Sequence, residues 1–134
     1  MPSLLRELSI LLLLTALGVA YSLLSGHALA PGEPQKLEAG EILLVDAEVI
    51  NPIWIDARSD FEYQLAHMNG ALLLNDDTWD TGFFELMSAW LETPRPIIVY
   101  CASSRCDASK RIAARLRNDL PDAEVYSLHG GWRP

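Results

Sequence analysis

Cys101 and Cys106 are the two cysteines of this 134-residue chain, and they stand within the run Cys101-Ala102-Ser103-Ser104-Arg105-Cys106-Asp107. Residues 96–100 (PIIVY), just before it, are apolar at every position. Residues 107–120, just after it, carry Ala108, Ile112, Leu116 and Leu120 at helical spacing. Cys101 is therefore expected where a buried strand gives way to a helix. A loop wrapped around a sulfur in that position turns backbone N–H groups and the positive end of the helix toward it, which favours a thiolate or an anion attached to it. Arg105 adds a fixed positive charge able to hold an oxyanion by paired hydrogen bonds. The chemistry implied is nucleophilic, with Cys101 as the attacking group. Ala102, Ser103, Ser104, Arg105 and Cys106 form the substrate-binding loop around it.

The elements that must hold this loop can be read from the rest of the chain. Residues 42–45 and 53–57 read as two strands, separated by a helical turn and by Asn51-Pro52. Ser59 is a candidate N-cap for a helix in which Phe61 and Leu65 stand four apart, and residues 71–74 (ALLL) read as a third strand. Asp80 or Thr81 opens a further helix whose Phe84, Leu86, Met87 and Trp90 are expected on its buried face, before Pro94 and Pro96 end it. Residues 96–100 suit a strand covered on both faces. The helix of residues 107–120 and a strand over residues 123–128 close the chain. Strands alternating with helices imply parallel strands joined by crossover helices, an α/β class in which ligands bind where strand carboxyl ends meet helix amino ends. That rule points to the Cys101 loop.

Upstream, residues 8–32 contain no Asp, Glu, Lys or Arg. A helix needs roughly 20 apolar residues to cross about 30 Å of hydrocarbon, and residues 8–24 with their small and hydroxyl neighbours nearly supply them. Residues 1–26 are read as a membrane anchor in preference to a cleaved signal, although Ala28-Leu29-Ala30 has the look of a cleavage site. Residues 27–37, with two prolines and a glycine, read as a linker, and residues 38–134 as the folded domain. Arg6 before the helix favours an internal amino terminus. In a bacterial inner membrane that would place the domain in the periplasm, an oxidising space.

Composition excludes other classes. Ten Lys and Arg against 18 Asp and Glu give a net charge of -8, which argues against nucleic acid as partner, since such affinity comes from basic side chains displacing counterions. Two cysteines are too few for a disulfide-built miniprotein or an all-cysteine zinc site, and His67 has no second histidine at ligand spacing. No metal is expected. Most of the domain's basic residues fall between Arg105 and Arg117, a positive region expected to steer an anionic donor or acidic partner toward the loop.

Three motifs, in order, resemble a known family. The first is Asp56-Ala57-Arg58 followed by Asp60, Glu62-Tyr63, His67-Met68-Asn69-Gly70-Ala71 and Asn75. The second is the Tyr100-Cys101 strand end with its loop and Ser109 beyond it, and the third is Gly130-Gly131-Trp132 after the last strand. Residues 41–132 thereby resemble a rhodanese-like domain. The resemblance implies a three-layer α/β/α sandwich around a mostly parallel sheet, preceded here by one N-terminal transmembrane helix. It also implies a sulfurtransferase whose Cys101 cycles through a persulfide between a small sulfur-containing anion such as thiosulfate and a thiol or cyanide acceptor. It implies no cofactor and a structural role for Asp56, Arg58 and Glu62.

The loop departs from many family members, which carry a glycine at its middle and an arginine five residues after the cysteine. Ser104 and Cys106 occupy those positions, and Arg105 is shifted by one. Cys106 is open to three readings: it resolves a persulfide, pairs with Cys101 in a disulfide, or packs as a buried thiol at the helix start. The first two leave room for a thiol/disulfide regulatory or partner-docking module as the alternative function. Phosphatases of similar architecture place arginine six positions after the cysteine, where this chain has Asp107, whose carboxylate would repel phosphate.

Overall fold

A computed structural model of the protein describes residues 2–24, 36–103 and 105–134. Most of the expected linker, the expected cleavage site and Ser104 lie outside the described residues. The chain divides into two compact units, Met1–Lys36 and Leu37–Pro134.

The first unit contains α1 (Pro2–Leu24). Its 18-residue stretch Leu4–Tyr21 has a mean hydropathy of 1.8 and is exposed throughout. By length and composition it can cross a membrane. Two hydroxyls within it are turned back on the helix: Ser9 donates to the Arg6 carbonyl and Thr15 to the Leu11 and Leu12 carbonyls, so neither needs water.

The second unit runs β1 (Glu41–Ile42), α2 (Leu44–Val49), β2 (Ile53–Asp56), α3 (Asp60–Leu65), β3 (Leu72–Leu73), α4 (Trp79–Glu92), β4 (Ile97–Tyr100), α5 (Ala108–Asp119) and β5 (Val125–Leu128). The strands form one parallel sheet in the order β1-β5-β4-β2-β3. β4 is central and buried at all four positions, as its unbroken apolar run requires. On one face Ile53, Ile55, Ile97, Val99 and Val125 pack against Leu86, Ile112 and Leu116 of α4 and α5. On the other, Ile98, Tyr100 and Leu128 pack with Ala47 of α2 and Ala71, flanked by the half-buried Trp54, Tyr126 and Trp132.

Several elements differ from the sequence expectation. The first strand does not reach Val45: Leu43 is the last extended residue, and α2 begins at Leu44. β1 is an edge strand bonded only to β5, and Val45 is 65% exposed, so nothing holds the chain extended there. The pair Phe61 and Leu65 does not make a buried stripe, because α3 buries none of its residues; its amino end is held instead by the Ser59–Glu62 capping box. Phe84 is also exposed. α4 starts at Trp79, and its buried line runs through Trp79, Gly82 and Leu86. At about 100° per residue Phe84 falls roughly 200° away from both Gly82 and Leu86. A Cβ at Gly82 would strike the Leu73 carbonyl, so glycine is what lets α4 lie directly on β3.

Candidate active site

Cys101 follows β4 in the phase of Ile97 and Val99, which sends its side chain toward the α5 side of the sheet. It is fully buried. Its Sγ lies 3.5 Å from the hydroxyl of Ser109, itself buried in the first turn of α5. It also lies 3.1 Å from the Cys106 carbonyl and 3.6 Å from the Ser103 carbonyl. The Cys106 N–H donates to the Ser103 carbonyl at 3.0 Å, closing a turn that returns the chain to Cys101. Cys101 and Cys106 are joined in a disulfide with Cα atoms 6.2 Å apart, within the span that a bridge requires.

Of the three readings open for Cys106, this geometry is the disulfide with Cys101, so the sulfur is capped in this form. The expected cradle of N–H groups differs from what is observed. Among the described residues, the polar atoms brought to that sulfur are oxygens, two carbonyls and one hydroxyl, rather than a ring of N–H groups. The loop's carbonyls face inward at Ser103 and Cys106, while those of Cys101 and Ala102 are taken up elsewhere.

The carboxyl-terminal segment takes them. Trp132 N–H donates to the Cys101 carbonyl at 2.7 Å and Arg133 Nε to the Ala102 carbonyl at 3.0 Å. Just before them, Gly131 adopts φ +71°, and a Cβ there would sit 2.5 Å from Ser103 N and 2.6 Å from the Cys101 carbonyl oxygen. Only glycine allows that approach and that backbone conformation together. The Gly130-Gly131-Trp132 motif is thus a latch on the cysteine loop. Sequence reasoning missed Arg133, since nothing in a terminal Arg-Pro pair signals a bond to a carbonyl some thirty residues earlier.

Beneath the loop lies a buried polar cluster. Asp56 accepts from Arg58 N, from Arg58 Nε at 3.0 Å and from an Arg58 terminal nitrogen at 2.6 Å, while the Tyr100 hydroxyl donates to it at 2.8 Å. Arg58 also donates to the Ala66 carbonyl and lies over the Trp132 ring, 5.1 Å from its centre. The Asp56 carboxylate, by hydrogen bonding, raises the Arg58 pKa above its ordinary value. Burial pushes the Tyr100 phenol well up, so it stays protonated as a donor. Glu62 is placed in the α3 cap, accepting from the Ser59 hydroxyl at 2.9 Å. His67 donates from Nδ1 to the Tyr63 carbonyl at 2.8 Å and stacks on the Tyr63 ring, so it closes a turn some distance along the chain from the sulfur.

A groove of about 490 Å³ opens beside the loop, lined by Arg58, Glu62, Leu65, Ala102, Trp132 and Arg133. Arg105 is exposed on the loop. The rest of the expected positive region is largely engaged within the domain. Lys110 pairs with Glu38 and Glu41, Arg111 with Asp76, and Arg117 donates to the Gly40 and Val125 carbonyls. Arg115 stacks 3.5 Å from the Trp79 ring centre. Among the described residues no group of three His, Cys, Asp or Glu could hold a metal.

Comparison with known proteins agrees with this architecture. No curated protein matches the chain. Among solved structures, the BH2092 protein from Bacillus halodurans superposes with a TM-score of 0.53 at 22% identity, covering 68% of this chain and 66% of that one, just under two thirds of its length. The N-terminal domain of a Clostridium difficile 630 protein gives a TM-score of 0.47 at 20% identity, covering 68% of this chain and 92% of that one. The family model that matches residues 35–134 is the rhodanese-like domain. With that match over its whole folded unit, the chain belongs to the rhodanese-like domain family, which is of sulfurtransferase type.

Proposed function

We propose that the protein is a sulfurtransferase that carries sulfane sulfur as a persulfide on Cys101. The observation that supports this most is the placement of Cys101, at the carboxyl end of the central parallel strand and against the first turn of α5, in a chain of this family. The bridged form is inert, so the cycle begins with reduction of the disulfide. The Cys101 thiolate then attacks the outer sulfur of a thiosulfate-type donor. A Cys101 S–S bond forms, the donor's S–S bond breaks, and sulfite leaves with the electron pair. A thiol or cyanide acceptor attacks the outer sulfur, and the Cys101 thiolate departs. The Ser109 hydroxyl, 3.5 Å from Cys101 Sγ, supports this reading as a donor to the sulfur anion.

The test is thiosulfate-to-cyanide sulfur transfer by the reduced full chain in detergent. Cys101→Ser is expected to lower the rate by at least about a thousandfold, as loss of a nucleophile does. Equal rates in the variant and the parent would end the proposal. The disulfide favours a second reading, a thiol/disulfide module that regulates or docks a partner. That reading gains if sulfur transfer is absent from reduced protein while partner binding follows the redox state.

We further propose that α1 anchors the protein in a bacterial inner membrane with the domain in the periplasm. A carboxyl-terminal alkaline phosphatase fusion tests this, activity being expected and inactivity excluding it.

A further inference from the structure

The loop around Cys101 is built in a way that a simple sulfur carrier does not need. A carrier must keep an anionic persulfide, and N–H donors would do so. The described residues instead bring the Ser103 and Cys106 carbonyl oxygens to within 3.6 Å and 3.1 Å of Cys101 Sγ, and carbonyl oxygens give no stabilisation to negative charge beside them. The turn closed by Cys106 N–H and the Ser103 carbonyl meanwhile delivers a second sulfur to bonding contact with the first. Two thiols held by so short a turn react at an effective concentration far above that of any free thiol in solution.

We propose that Cys106 is a resolving cysteine that converts the Cys101 persulfide into free sulfide, so that the protein is a dithiol-dependent thiosulfate reductase. The inference rests on the reading of Cys101 as the sulfur acceptor, and it names what becomes of the sulfur. In the first step thiosulfate and the Cys101 thiolate give the persulfide and sulfite. In the second, the Cys106 thiolate attacks Cys101 Sγ, the new Cys101–Cys106 bond forms, the bond to the outer sulfur breaks, and hydrosulfide leaves with the electron pair. The product is the disulfide present in the structure.

An external dithiol, small or protein-borne, then supplies the two electrons. Cys101 is fully buried whereas Cys106 is partly exposed, so the reductant reaches Cys106 Sγ and releases the Cys101 thiolate for the next donor. The net reaction consumes one thiosulfate and two thiols and yields one sulfite, one sulfide and one disulfide.

The experiment uses the full chain in detergent, reduced with dithiothreitol, freed of reductant without air, and treated with thiosulfate while sulfide and intact mass are followed. The parent is expected to release one equivalent of sulfide with no thiol added and to end about 2 Da lighter than its reduced form. Cys106→Ser is expected to hold a sulfur adduct of about 32 Da and to release sulfide only after dithiothreitol is added. Cys106→Ala repeats the measurement should the serine disturb the loop.

A parent that keeps the adduct without releasing sulfide overturns the proposal and leaves Cys101 as a carrier. Sulfide release from the Cys106 variants equal to that of the parent does the same. Absence of both adduct and sulfide in the parent and in every Cys106 variant overturns this inference and the proposed function together.

Discussion

Where α4 and α5 cover the sheet, apolar strand residues meet apolar helix residues in a continuous core, from Ile53 and Ile97 through Leu86 to Ile112 and Leu116. Where α2 and α3 cover it, each helix is six residues long, α3 buries nothing, and Ala47 is the one buried residue of α2. That thin side is completed by half-buried aromatics and by the Asp56–Arg58–Tyr100 cluster. Hydrophobic burial holds the first face, whereas the second depends on directional bonds that also hold the strand ends, the Trp132 latch and the groove. Hydrophobic burial and directional bonding are thereby assigned to opposite sides of one sheet, and the Cys101 sulfur lies on the α5 side.

The largest effect expected from breaking this contrast is on the thin face. Arg58→Ala leaves the buried Asp56 carboxylate without its cation and should cost about 3–5 kcal/mol of unfolding free energy in urea titrations of the full chain. A loss below 1 kcal/mol would mean that the polar cluster does not hold that face. On the thick face, Leu86→Ala should cost about 2–5 kcal/mol through lost burial and the cavity left behind. It should leave sulfur-transfer kinetics unchanged at temperatures where the variant is folded.

Gly131→Ala sharpens the comparison, since it disturbs the latch without touching either core. About 1–3 kcal/mol of destabilisation is expected from the positive φ and the clash with Ser103. Unlike Leu86→Ala, it should also alter the reduction rate of the disulfide, measured by trapping of free thiols.

The smallest effect is at the sheet edge, outside both faces. Burial raises the Glu41 pKa, but this is outweighed by the Glu38 N–H, His129 and Lys110, so the net shift is downward. A carboxylate with a lowered folded value stabilises the protein above its unfolded pKa, near 4.5, and loses that contribution as pH falls through the folded value. Glu41→Gln should therefore be less stable than the parent near neutrality by under about 1 kcal/mol, with the gap closing below about pH 4.5. A gap that stays constant from pH 7 to about pH 3 would show that Glu41 contributes through shape and not charge.

The legible parts of the fold were those in which one local signal dominates. β4 is apolar at every position because both its faces are covered, and α5 shows an uninterrupted stripe through Ile112 and Leu116. Ser59 announces its helix because capping is a contact between near neighbours. Phe61, Leu65 and Phe84 misled, since an apolar side chain in a helix is buried only if another element lies over it, and periodicity does not report what lies opposite. The positive region between Arg105 and Arg117 was visible as composition, but its pairing with Glu38, Glu41 and Asp76 joins distant parts of the chain.

The sequence by itself determined the alternation of strand and helix, an N-terminal helix apolar enough for a membrane, and the cysteine at the end of the central strand. Each of these follows from residue types within a few positions of one another. Tertiary structure alone decided that Cys106 turns back onto Cys101, that carbonyl oxygens face the sulfur, and that Gly131 and Trp132 close over the loop. Those outcomes depend on which backbone groups remain unpaired once the sheet has formed, and that is settled only when β5 brings the carboxyl terminus beside β4.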